Sequence, residues 1–355
     1  MSDLKINNIT NRSGDGGPVV AGVSTVSTSA FMVMPIGDTA VRGAGSGRGI
    51  LWVNNAPSTK TLNKIEIATT GNATDFGDSK LSVSYRSSFA SSTRGIFAGG
   101  QPNASPYYIT DIEYVVVSSG GGGNDFGDLN KGRLKSIDAR RGAAAGSNDS
   151  TRGLIAGGNT PGDGGARKSI DFVTMASTGD SSDFGELVQE RFDFQGGMGN
   201  GVRAVFAGGY KQTTPAATFY KMIDTVNVQS GGAATKFGEL SATRGRTANT
   251  SNNTRGLNLG GGPAPTGRTN TIEYITLSTE GNAQDFGDLT NSLLSHGACA
   301  SKTRAVQTGG STSGGSVNTM QYVTISTTGD ATDFGDMTVA VSANTAISDV
   351  NGGLG

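Results

Sequence analysis

A six-bladed β-propeller, an all-β ring of four-stranded units, is the fold class this sequence predicts, on three observations. First, the 355 residues include 57 glycines and only 16% charged side chains, against roughly one quarter charged in ordinary soluble domains. That composition favours strands and turns over helical bundles. Second, "NATDFGDSKL" at 72 returns five times, in "GNDFGDLNKG", "SSDFGELVQE", "ATKFGELSAT", "AQDFGDLTNS" and "ATDFGDMTVA". The aromatic markers Phe76, Phe126, Phe184, Phe237, Phe286 and Phe334 recur at intervals of 48 to 58 residues. Third, another marker alternates strictly with the first: "GRGILWV" at 47, "TRGIFAGG" at 93, "TRGLIAGG" at 151, "VRAVFAGG" at 202, "TRGLNLGG" at 254 and "TRAVQTGG" at 303. Self-similarity at about 50 residues with four strands per unit is the pattern of a propeller blade, with a stacked solenoid of the same period as the alternative.

In chain order, residues 1–46 stand outside the repeat and read as an extended N-terminal attachment arm. Their "VVAGVSTVSTSAFMVMP" is β-prone and moderately apolar, a stretch that alone neither builds a core nor stays well solvated. Residues 47–348 form the propeller. Each unit opens with a strand ending in Gly-Gly and a loop. Strands such as "DIEYVVVSS", "SIDFVTMAS" and "TIEYITLST" follow, with partial period-2 alternation. A tight Ser/Thr/Gly turn leads to the "DFGDL" strand, and a fourth, more variable strand such as "SATRGRTANTS" completes the unit. The first unit lacks a segment for its fourth strand, whereas the last motif is followed by a spare strand, "MTVAVSANTAIS" at 337–348. That strand is expected to complete the first blade and remove a loose sheet edge. Residues 349–355 read as a flexible C-terminal tail.

The Asp-Phe-Gly triplet matches the metal-binding segment of protein kinases, yet a catalytic loop is needed once and this one occurs in every unit. No "HRD" segment or Gly-rich phosphate loop accompanies it. The motif therefore reads as architecture. Counting strand directions pairs the arginines Arg48, Arg94, Arg152, Arg203, Arg255 and Arg304 with the acids closing each motif, Asp78, Asp128, Glu186, Glu239, Asp288 and Asp336. The guanidinium fork suits a carboxylate. An anion-binding ring of arginines is the alternative. The first motif position is less uniform, with Lys236 in one unit. The phenylalanine is expected between neighbouring blades, and the glycine at a close turn or bulge.

Composition excludes several functions. A net charge of −1 without any basic block lacks the footprint of a nucleic-acid binder. The single Cys299 excludes an intrachain disulfide and a thiolate metal site, and the single His296 cannot supply a copper site with two imidazoles. Both read as buried structural residues. Sialidase-type boxes, Gly-x-Ser-x-Gly elbows and His-Glu-x-x-His helices are absent from the sequence, and the acidic glycine turns "SGDGG" and "PGDGG" each offer one carboxylate, too few for calcium. The expectation is a non-enzyme without cofactor or metal. No signal sequence or apolar span of membrane length is visible, so a soluble protein without membrane insertion is expected.

Gly-Gly after a β-strand, then an Ile-(Asp/Glu)-Tyr strand, an aromatic, a leucine and an arginine, is similar to the kelch repeat over about 47 to 347. Phe of "FGDL" replaces the usual tryptophan, and the only tryptophan, Trp52, lies elsewhere. The N-terminal stretch of the form "ITNRSG...GPVVAGVSTVS" and the "DFGDL" and "TRGIFAGG" repeats resemble tail-associated virion proteins of tailed phages, particularly those infecting cyanobacteria. That resemblance implies a virion structural or adhesion protein of a tail, baseplate or fibre. It would be made in the host cytoplasm in multiple copies and anchored to other virion proteins through residues 1–46. A capsid decoration protein, a carbohydrate-active or carbohydrate-binding propeller and a cytosolic kelch adaptor are the alternatives. The loops after the Gly-Gly strands vary most, and Tyr107, Tyr108, Tyr210, Phe219 and Tyr220 are the candidate contacts for a host glycan, a host protein or a neighbouring subunit. Their alternative role is to cover blade edges.

Overall fold

The computed structural model describes residues 47–53, 59–102, 109–129, 151–160, 165–213, 216–262 and 267–349. Among them every regular element is a β-strand, and antiparallel sheets form the six blades of a propeller. The expected arm and most of the tail lie outside the described residues.

Blade I runs, from the axis outward, through Thr345–Ser348, Arg48–Trp52, Thr61–Glu66 and Thr74–Asp78. Blade II runs through Ser87–Ala90, Arg94–Ala98, Asp111–Val116 and Asn124–Asp128. Blade III shows Arg152–Ala156, Gly165–Thr174 and Ser182–Arg191, and residues 130–150 before it are outside the description. Blade IV has Met198–Gly199, Arg203–Ala207, Met222–Asn227 and Thr235–Glu239. Blade V has Thr247–Ser251, Arg255–Leu259, Thr269–Thr276 and Gln284–Leu293. Blade VI has Gly297–Ala300, Arg304–Thr308, Gly315–Thr324 and Thr332–Val341.

Among the described residues, the variable segment after a "DFGD" strand does not complete its own sheet. It crosses over to become the innermost strand of the next blade, as Thr247–Ser251 does against Arg255–Leu259. The same shift closes the ring. Thr345–Ser348 pairs antiparallel with the start of the propeller, Gly49 opposite Ser348 and Trp52 opposite Thr345. Asp349, read as tail in the sequence, belongs to this closure. It is buried, its Oδ1 accepts the Arg48 N–H at 2.9 Å, and its own N–H donates to the Arg48 carbonyl at 3.1 Å.

The core is distributed between blades rather than gathered in one place. Each of the six motif phenylalanines is at most 7% exposed and sits in an apolar cluster drawn from its own blade and the next. Phe76 lies with Trp52 and Leu62 of blade I and Phe97 and Val115 of blade II; Phe334 lies with Val306 of blade VI and Leu51 and Ile65 of blade I. Burying such a ring contributes roughly 2–3 kcal/mol, so the expected place of the phenylalanines between blades is what the molecule has.

Candidate functional site

The recurrent residues define two levels along every blade. We call upper the end where the second strand passes through Gly-Gly into its loop, and lower the end of the tight turn between the third and outermost strands. The "DFG" motif lies on the outermost strand. There a β-bulge interrupts the pairing in all six blades, for example between Leu62 and Asn63 and between Ile272 and Glu273. The extra residue is the phenylalanine, turned inward.

The bulge lets the next blade dock by backbone contact. The turn N–H groups of Gly121 and Gly123 donate to the carbonyls of Phe76 and Asp78 at 3.1 and 2.8 Å. The same pair of bonds recurs at the other five seams, ending with Gly71 to Phe334 at 2.7 Å and Ala73 to Asp336 at 2.8 Å. The motif glycine makes room for that approach. At Gly287, φ is +144°, and a Cβ would lie 2.4 Å from the Gly329 carbonyl oxygen of the neighbouring turn. The question raised by a sixfold Asp-Phe-Gly is thus answered by a sixfold seam.

The expected pairing of Arg48 with Asp78, Arg94 with Asp128, Arg152 with Glu186, Arg203 with Glu239, Arg255 with Asp288 and Arg304 with Asp336 is overturned by the strand register. Arg255 faces Thr276, whereas Asp288 faces Thr271 on the same strand. Five residues of extended chain separate them by about 16 Å. The same offset holds in the other blades, with Arg48 opposite Glu66 and Asp78 opposite Thr61. The arginine therefore stands at the lower end, beside the beginning of the outermost strand, while the closing acid stands at its upper end.

Each arginine instead reaches the next blade. Arg48 Nη1 donates to the Val117 carbonyl at 2.8 Å, Arg94 Nη1 to Met175 at 3.1 Å, Arg152 Nη1 to Gln229 at 2.8 Å, Arg255 Nη1 to Ile325 at 2.9 Å and Arg304 Nη1 to Ala68 at 2.7 Å. Arg203 points the same way, its Nη2 3.8 Å from Glu280 of blade V. Four of the guanidinium groups also lie over a ring of their own third strand, as Arg255 does over Tyr274 at 4.6 Å. Two of the closing acids have other partners: Asp128 accepts from Thr110 at 2.7 Å, and Glu239 sits between Lys221 and Lys236, which hold its carboxyl down at about 2.

A further recurrent position was visible in the sequence only as part of a strand pattern. The residue after the apolar anchor of the third strand is Asn63, Glu113, Asp171, Asp224, Glu273 or Gln321, each at most 2% exposed. In five of these blades its side chain accepts the backbone N–H that lies two residues past the preceding blade's closing acid, including Lys80 to Glu113 at 2.9 Å and Thr290 to Gln321 at 2.7 Å. Three of the acids also meet a buried arginine. Arg86 is 2.7 Å from Glu113, Arg191 is 2.9 Å from Asp224 and Arg244 is 2.5 Å from Glu273. Desolvation raises the Asp224 carboxyl above its usual range, and Arg191 and the Val188 N–H only partly offset it; the same burial lowers Arg191 and Arg244. An acid flanked by core residues on a strand was the available signal.

Of the loop aromatics, Tyr107 and Tyr108 lie outside the described residues. Tyr210 is not a free contact residue: it is 4% exposed, with Phe192 at 4.3 Å and Phe219 stacked at 4.8 Å, and Arg246 lies over its ring. Aromatic rings in a two-strand upper loop gain more by burying one another than by facing water, so Tyr210 takes the covering role. Phe219 and Tyr220 are half-buried. The upper loops do lie opposite the arginines, but the closing acids share the loops' end.

At the axis, the cavity between innermost strands is about 30 Å³ among the described residues, bordered by Ser88, Asn249, Ser251, Cys299 and Ser348. That is room for one or two waters. Its hydroxyls reach neighbouring strands, Ser348 Oγ donating to the Ala300 carbonyl at 2.6 Å and Ser251 Oγ to Gly199 at 3.2 Å. Burial pushes the Cys299 thiol up to about 12 and lowers His296 to about 4, the latter partly offset by backbone hydrogen bonds at Gly297 and Leu259. Both side chains are buried, His296 at 0% and Cys299 at 2% exposure. No family model matches the chain, and no curated protein matches it.

Proposed function

We propose that this propeller is a non-enzymatic structural and adhesion protein of a phage virion, in a tail, baseplate or fibre. Residues 1–46 anchor it to neighbouring virion proteins, and the upper loops meet a host surface or another subunit. The observation that carries the reading is the placement of the repeated residues. The arginines, the "FG" pairs and the buried acid or amide positions all face a neighbouring blade, while variation falls in the upper loops. Such a division describes a rigid presenter better than a reaction vessel. The resemblance of the N-terminal stretch to phage attachment segments supplies the virion assignment. Mass spectrometry of purified particles tests it: the chain should be present in stoichiometric amount. A chain lacking residues 1–46 should fold with unchanged Tm yet be missing from particles. Particles without the full-length chain would sink the assignment.

A further inference from the structure

Two cavities of about 180 Å³ each occupy the same place in two blades. Both lie at the lower end, between the last residues of the third strand, the tight turn and the first residue of the outermost strand. In blade V the polar lining is Tyr274, Thr276, Thr279, Glu280, Asn282 and Gln284; in blade I it is Lys64, Glu66, Thr69, Thr70, Asn72 and Thr74. Each cavity therefore combines one carboxylate, at least one carboxamide and at least two hydroxyls, to which Lys64 adds an ammonium in blade I and Gln284 a second carboxamide in blade V.

The asparagines are fixed before any ligand arrives. Asn282 Oδ1 accepts the Glu239 N–H at 3.1 Å, and Asn72 Oδ1 accepts the Asp336 N–H at 3.0 Å. Preorganisation of this kind lowers the entropic cost of binding. The carboxylates remain half exposed, Glu66 at 50% and Glu280 at 54%. Turns of the other blades differ: "SSGGGG" at 118 and "SGGAAT" at 230 offer few side chains, and "STGD" at 177 and "TTGD" at 327 carry an acid in place of the asparagine.

We propose that these cavities, which share a place in the blade but carry their carboxylates at different positions of the turn, are two subsites for a neutral pyranose unit, which makes the propeller a bivalent glycan binder on its lower end. The volume is well below that of a drug-sized pocket and suits one ring. Carboxylate and carboxamide together offer the acceptors and donors that neighbouring sugar hydroxyls require, and with Arg48 at 3.4 Å from Glu66 and Arg203 at 3.8 Å from Glu280 neither carboxylate is an unbalanced charge that calls for an ionic ligand. The proposal rests on the adhesion reading for its occupant, and it places sugar contact opposite the upper loops. Single subsites of this size bind weakly, and the pair gains on a polyvalent surface, where linked sites add factors of about 10²–10⁴.

The test uses the full chain and saturation-transfer NMR with D-glucose, D-galactose and D-mannose, with N-acetylneuraminic acid as the acidic comparison. At least one neutral sugar should receive saturation and the acidic one should not. On a surface bearing a polymer of the responding sugar, Glu280→Ala with Thr279→Val, or Glu66→Ala with Thr70→Val, should each reduce retention about tenfold or more. The four changes together should abolish it at unchanged Tm. Silence from all three neutral sugars, preference for the acidic one, or full retention by the folded quadruple variant would overturn the proposal. Retention lost with Tyr220→Ala but kept by the quadruple variant would also overturn it, and would leave adhesion through the upper loops standing. Loss with the quadruple variant, in a chain missing from particles, would keep the subsites and remove the virion assignment.

Discussion

Blades IV and VI meet one backbone requirement with different chemistry. In both, a part-buried N–H of the preceding blade needs an acceptor from the third strand. Blade IV supplies the Asp224 carboxylate, which must then be balanced by Arg191, whereas blade VI supplies the Gln321 carboxamide, which needs no counter-ion. Both members of the charged pair are fully buried. The difference teaches that the buried ion pairs here are not required for the seam. Each commits a blade to two desolvated groups whose loss one at a time is costly.

The largest expected effect follows from that commitment. Arg191→Ala should strip Asp224 of its partner and cost about 3–5 kcal/mol in urea or thermal unfolding. Converting the site to the chemistry of blade VI, with Arg191→Met and Asp224→Asn together, should recover most of that loss. A double variant no more stable than Arg191→Ala would break the comparison, because it would mean that the charges themselves hold the blade.

A second contrast lies between His296 and Asn344, each of which follows a residue with positive φ, Ser295 or Ala343, at the start of an innermost strand. Both are fully buried, but only the histidine titrates. Its proton affinity falls from the ordinary 6.5 to about 4 on burial. The unfolded chain therefore binds the proton first as pH drops. Stability should be full above pH 6.5 and decline towards pH 4, by about 3 kcal/mol in all. His296→Asn, copying blade I, should flatten this segment of the pH profile. An unchanged slope would assign the loss to other groups. Glu239 acts in a lower window, its contribution fading only as pH falls from 4.5 towards 2.

Much of this architecture was legible in the sequence because it is written in side chains. Two alternating markers gave six units, the spare strand at 337–348 announced the closure, and the phenylalanine and glycine of the motif gave the inter-blade ring and the bulge. What escaped was written in the backbone. The acceptors of Arg48, Arg94, Arg152, Arg255 and Arg304 are main-chain carbonyls, which every residue possesses and no residue type marks. The recurrent carboxylates that residue type does mark stand at the other end of the strand. The buried pairs escaped for another reason. Arg86 stands at the start of an innermost strand and Arg191 at the end of an outermost one, so the arginines occupy no common repeat position although their acids do.

Two glycines of blade V, one at its seam with blade VI and one at its seam with blade IV, should respond unequally. Gly287→Ala places a Cβ against the Gly329 carbonyl at a positive φ and should cost about 1–3 kcal/mol. Gly281 in the blade V turn has nothing within 4 Å of a Cβ, and Gly281→Ala should stay within about 0.5 kcal/mol. Equal effects on Tm would show that the seam tolerates a wider approach than its geometry implies.

The smallest expected effect separates the two ends of one blade. Asp288 is exposed, and the recorded partner of its backbone N–H is Asp330 Oδ1 at 2.9 Å, a contact that does not depend on its own carboxylate. Asp288→Asn should therefore change stability by no more than about 0.5 kcal/mol. Arg255→Met, at the lower end of the same blade, removes hydrogen bonds to the Ile325 and Ser326 carbonyls and the stacking over Tyr274, and should cost about 1–3 kcal/mol. Because the two residues lie about 16 Å apart, the double variant should show the sum of the two effects. A coupling energy of about 1 kcal/mol or more in that double-mutant cycle would restore the arginine–acid pair that the register rules out, and with it the assignment of the two to one end of the blade.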